Sequence, residues 1–123
     1  MTIYPSHLGL WALYILWVSL NRLPAIRNAV QQGRVIWKKH TLERMLERGI
    51  SSATVKQAIL AGQVIESYPD DYPVPSFLIC GLEPEPIHVV MAWDAGAGDC
   101  HVITTYRPDL MHFEPGFLRR RKK

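Results

Sequence analysis

Apolar positions recur at helical spacing between residues 24 and 62, then alternate every second residue as far as Tyr106. Pro24 can open a helix as its first residue, and PAIRNAVQQG runs to Gly33, a natural stop. Ile26 and Val30 supply the apolar stripe of this helix, with Val35 as a further candidate. Residues 38–48, KKHTLERMLER, predict a second helix that ends at Gly49. Its Leu42, Met45 and Leu46 stand at i, i+3, i+4, the spacing of one buried stripe, and Ile50 follows as a hydrophobic latch. Ser51 or Ser52 caps a third helix over 53–61, which ends at Gly62 and turns Val55, Ala58 and Ile59 inward.

Beyond Gly62 the period drops to two. Strands are predicted at Val64–Tyr68, Phe77–Leu82, Ile87–Trp93 and His101–Tyr106. Between them lie the proline-rich turn YPDDYPVP, the Pro84–Pro86 bend and the loop DAGAGD, and Pro108 closes the last strand. Helices first and strands later predict an α+β fold, with N-terminal helices packed on a four-stranded antiparallel sheet. If His88 pairs opposite Tyr106, then His88, Thr104 and Tyr106 share one face. Val89, Met91, Trp93 and Ile103 then meet the helices. A slip of one residue sends His88 to the Thr105 side instead. The first register is preferred because it gathers the larger apolar groups on one face.

Leu8–Leu20 reads LGLWALYILWVSL, thirteen residues without a charge. A bilayer-spanning helix needs about twenty apolar residues, so the length argues against a membrane partner. A buried or partner-binding helix, a weak anchor, and an extension from a misplaced start codon all remain open, the first and third being favoured. The resulting division is an apolar extension over 1–20, one α+β domain over 21–118 and a basic tail over 119–123. A chain of 123 residues is one domain's worth, and 48% apolar with 20% charged residues excludes a disordered or collagenous chain.

The charges are unevenly placed. Residues 21–62 carry eight bases and two acids, 63–118 carry nine acids and the single base Arg107, and Arg119–Lys123 adds five bases. Such asymmetry favours a nucleic acid or a charged protein as partner. Cys80 and Cys100 form neither a CxxC pair nor a zinc pattern, which suits a reducing cytoplasm better than a disulfide framework.

His40, Arg44 and Glu47 share one face of the second helix. An arginine can hold a phosphate bidentately and steady its developing charge, and a histidine can move a proton near neutrality. From spacing alone, an exposed face with a Glu–Arg pair is the simpler account. His88 as a hydrogen-bonded sheet histidine, and Thr104 and Tyr106 as ordinary strand residues, stay equally open. Arg107 stands at a strand end, where it can meet a phosphate or neutralise Asp109 or the YPDD turn. No HExxH, glycine-rich phosphate loop or metal-ligand spacing of the histidines is present, so neither metal nor cofactor is expected.

Four segments in order, HTLERMLERGIS, AIxxGxVIExYPDDYPxPSxLxxG, HVVMAWD and VITTYRPD, resemble the family called domain of unknown function 4258, over about residues 24–115. That family is similar to the RelE-like toxins, whose helices pack on an antiparallel sheet. The resemblance implies a cytoplasmic, metal-independent endoribonuclease acting on mRNA, the toxin of a toxin–antitoxin pair. Its cognate antitoxin is expected to be of zinc-finger or helix-turn-helix type. The positions it implies are His40 and Arg44 in HxxxR, His88 in HVV, and Thr104 with Tyr106 in ITTY. His40 or Tyr106 would be the general base and His88 the other proton carrier, with Arg44 and Arg107 on the scissile phosphate. Lys38, Lys39, Arg48 and the tail Arg119, Arg120 and Arg121 would track the RNA backbone. The alternative is a non-catalytic protein- or RNA-binding module on the same scaffold.

Overall fold

The computed structural model describes residues 8–122. Residues 1–7 of the apolar extension and Lys123 of the tail lie outside the described residues. Four helices, α1 (Leu8–Asn21), α2 (Leu23–Gln31), α3 (Lys39–Arg48) and α4 (Ser52–Ala61), accompany five strands: β1 (Val35–Trp37), β2 (Gln63–Tyr68), β3 (Ser76–Gly81), β4 (Ile87–Asp94) and β5 (Asp99–Tyr106). The fold is α+β as the pattern predicts, but the sheet is five-stranded and mixed, ordered β1-β5-β4-β3-β2. The added strand β1 runs parallel to β5, with Ile36 opposite His101. Three residues are too few to show an alternation, so this strand exists only because β5 offers it an edge.

The helix ends follow local chemistry. Gly49 adopts the left-handed φ of 67°, and Ile50 N–H returns to the Met45 carbonyl at 2.9 Å, burying Ile50 as the latch. The Ser51 hydroxyl accepts the Thr54 N–H at 3.1 Å and caps α4. Arg27 of α2 donates to the Ile59 and Gly62 carbonyls at 3.2 and 2.6 Å, placing a cation on the negative end of α4. Gly62 itself is required by close approach, because a Cβ there would stand 2.5 Å from the Cys80 carbonyl oxygen.

The core lies between the helices and one sheet face: Val64, Phe77, Ile79, Val89, Met91, Trp93, Cys100 and Val102 meet Val18, Ile26, Val30, Met45, Val55 and Ile59. α1 therefore belongs to the domain through Val18, while Leu10, Leu13, Leu16, Trp17 and Leu20 stay exposed. No helix among the described residues is long and apolar enough to cross a membrane.

Two expected faces are corrected. On α3, Thr41 and Met45 are buried, whereas Leu42 is 44% and Leu46 83% exposed. The helix lies along β5, and the Thr41 hydroxyl donates toward the Val102 and Ile103 carbonyls (3.3 and 3.0 Å), so the Thr41–Met45–Arg48 side faces the sheet. On β5, Ile103 is exposed rather than turned to the helices. Val90 pairs with Thr104 and Met91 with Val102, so Ile103 is the extra residue of a β-bulge that resets the alternation.

Candidate functional site

His88 pairs directly with Tyr106, the preferred register. The two side chains lie on the sheet face away from the helices, with His88 Nδ1 3.3 Å from the Tyr106 hydroxyl and the rings edge to face at 5.4 Å. Thr104 shares this face two pairs further along, opposite Val90, and Cys80 is the partner of His88 on β3. Toward the β2 edge stand Glu66 and Tyr68, whose hydroxyl donates to the Glu66 carboxylate.

The segment after β5 folds back over these groups. Pro108 leads into a turn in which Asp109 accepts the His112 N–H at 2.9 Å, and a bridge then joins Phe113 to Arg120. Phe113 is buried with its ring 4.5 Å from and perpendicular to that of His88. The Phe117 carbonyl lies 2.8 Å from His88 Nε2, where it accepts the imidazole N–H. Arg120 binds Glu66 through two bonds of 3.0 Å each and rests on the Phe113 ring at 4.8 Å. His88 is thus 0% exposed, with both ring nitrogens engaged.

Electrostatics follow from this cover. Burial holds His88 below the ordinary imidazole value, the Phe117 carbonyl and the Glu66 charge oppose the shift, and Arg120 adds to it. Burial likewise raises the Tyr106 phenol, so it keeps its proton at neutral pH. Glu66 holds the Arg120 guanidinium charge more firmly. Burial also raises both thiols, Cys100 to about 12, which leaves neither as a nucleophile at neutral pH. No group of three potential metal-binding side chains occurs among the described residues.

The sequence-derived set divides. The structure brings His88, Thr104 and Tyr106 onto one face but leaves His40 and Arg44 out of that cluster. Both are exposed on α3, and Arg44 turns to Glu47 at 3.0 Å. Arg48 is the α3 cation that reaches β5, at 2.8 Å from the Thr105 carbonyl and 3.4 Å from the Thr104 hydroxyl. Arg107 is occupied as a clasp: it pairs with Glu85 at 2.7 Å and donates to the Arg48 and Gly49 carbonyls at the end of α3. Lys38 and Lys39 are exposed at the start of α3. Arg119 and Arg121 are part of the folded-back segment, through Glu114 N–H to the Arg119 carbonyl (2.8 Å) and Arg121 Nε to the Leu110 carbonyl (2.5 Å). Sequence reasoning missed Glu66; its signal is the same-face i, i+2 spacing with Tyr68 in the ESY of β2. A cavity of about 210 Å³ lies elsewhere, between the end of α4 and β3, lined in part by Gln57, Gly62, Cys80 and Glu83.

The domain is therefore an α+β unit with a polar histidine–tyrosine cluster on the sheet face opposite its helices. Residues 37–107 match the family described as Domain of unknown function (DUF4258), and the chain belongs to that family. No curated protein and no solved structure matches it.

Proposed function

We propose that this protein is a RelE-like, metal-independent endoribonuclease, the toxin half of a toxin–antitoxin pair acting on mRNA, with its chemistry on the His88–Tyr106 face. The single observation that carries this reading is the hydrogen-bonded pair itself, an imidazole and a phenol held in register on adjacent strands. A histidine kept neutral is a base, and a tyrosine kept protonated is an acid. In this reading His88 takes the proton of a ribose 2′-hydroxyl as its oxygen bonds to phosphorus. Tyr106 protonates the departing 5′-oxygen as the P–O5′ bond breaks. The products are a 2′,3′-cyclic phosphate and a 5′-hydroxyl. Return of the proton from imidazolium to phenolate along the His88–Tyr106 hydrogen bond resets the site. Arg48, beside Thr104, is the cation nearest to this face from α3, and Glu66 favours the protonated histidine. His40 and Arg44 move in this proposal from chemistry to RNA binding, with Lys38 and Lys39.

Purified protein should cut RNA in EDTA and leave cyclic phosphate ends, and His88→Ala and Tyr106→Phe should not. Intact RNA under all conditions, with retained binding, rejects the enzyme. The burial of His88 favours a second reading, in which the histidine only ties the segment after β5 to the sheet and α3 binds RNA without cutting it. A zinc-finger or helix-turn-helix antitoxin is the proposed protein partner; an adjacent reading frame whose product neutralises this chain on co-expression would support it.

A further inference from the structure

We propose that residues 109–121 form an autoinhibitory strap that occupies the His88–Tyr106–Glu66 face in cis and has to lift before RNA can enter. The inference rests on the functional reading above for what enters, and on the structure for what blocks it. The family match ends at Arg107, so Glu66, Tyr68, His88 and Tyr106 lie within the shared domain and their cover lies beyond it. The cover occupies the site's own groups: a main-chain carbonyl on the imidazole, an aromatic ring against it, and a guanidinium on the Glu66 carboxylate.

The attachment is shallow. Phe113 is the one buried side chain of the strap, whereas Leu110, Met111 and Leu118 are exposed. Its turn holds Gly116 at φ 92° and Phe117 at φ 62°, the latter unfavourable for a residue with a Cβ. The remaining ties to the sheet are the His88–Phe117 hydrogen bond and the Arg120–Glu66 pair, with Arg120 half exposed. A segment held by one buried anchor, one hydrogen bond and one ion pair belongs to the low-stability end of a structure and can open without the sheet. Its loss would also remove the two influences that hold His88 down, burial and the Arg120 charge.

Carbethoxylation of His88 in the full-length protein, followed by mass spectrometry, reads the opening directly. Exposed His40 serves as the reference and buried Cys100 as the monitor of global unfolding. Arg120→Glu should raise the His88 rate about tenfold over His40, as expected when a repelling pair shifts a closed–open equilibrium by one decade. Cys100 should stay unreactive. The charge exchange Glu66→Arg with Arg120→Glu should restore protection. An unchanged His88 rate in folded Arg120→Glu, or His88 and Cys100 rising together, overturns the strap. RNA cleavage assayed on the same samples separates the two claims: a reactive His88 that still cuts nothing defeats the nuclease and leaves the strap standing.

Discussion

His88 and Tyr106 face one another across β4 and β5 with 3.3 Å between imidazole Nδ1 and phenol oxygen, and the same imidazole is tied on its other side to the Phe117 carbonyl. One side chain thus joins the sheet to the segment that covers it. Tyr106→Phe removes one of the two ties and leaves Nδ1 buried without a partner. This should cost about 1–2 kcal/mol in urea unfolding. On the proposed chemistry it should also lower single-turnover RNA cleavage about a hundredfold or more, because a general acid is lost.

The buried imidazole sets a pH dependence. His88 lies below its ordinary value of 6.5, so above that pH it is neutral in both folded and unfolded chains and contributes no slope. As pH falls below 6.5, the unfolded chain takes up a proton that the folded chain resists, and stability drops until the folded value is passed. Urea midpoints should therefore decline on acidification below 6.5, and His88→Gln should flatten this part of the decline. Identical slopes for the two proteins would show that His88 does not titrate differently in the fold.

The basic residues separate into clasps and solvent-facing charges. Arg107 joins Glu85 to the last carbonyls of α3, so Arg107→Ala should lower the melting temperature and leave the salt dependence of RNA binding unchanged. Lys39 and Arg44 behave in the opposite way if α3 meets the RNA backbone. Each alanine replacement should reduce the slope of log affinity against log salt by about 1, with little effect on melting. Fluorescence anisotropy over a salt series, beside thermal melts, measures both.

Ser67 is buried on the helix side of β2, opposite Phe77, with its hydroxyl unpaired. Removing an unsatisfied buried hydroxyl relieves a desolvation cost, so Ser67→Ala should be neutral or stabilising by up to about 1 kcal/mol. A clear fall in the urea midpoint would mean that the hydroxyl has a partner in solution.

Local chemistry settled much of the architecture. Gly49 with Ile50, Ser51 with Thr54, and Gly62 mark helix ends through backbone conformation and neighbours a few residues away, and the two-residue alternation of β4 marks a strand. The preferred register, His88 opposite Tyr106, is the one the sheet adopts, although the inward Ile103 that argued for it is displaced by the bulge. The bulge at Ile103, the parallel strand β1 and the turning of α3 toward Thr41 depend on partners up to 65 residues distant, and only the folded chain brings these together. The candidate site divides along the same line. The sequence by itself determined which strand positions carry a histidine and a tyrosine, because alternation assigns them to a face. Tertiary structure alone decided that His40 and Arg44 stay outside their cluster, that Glu66 joins it, and that Phe113, Phe117 and Arg120 lie across it, because those relations rest on strand order and on a chain segment folding back through space.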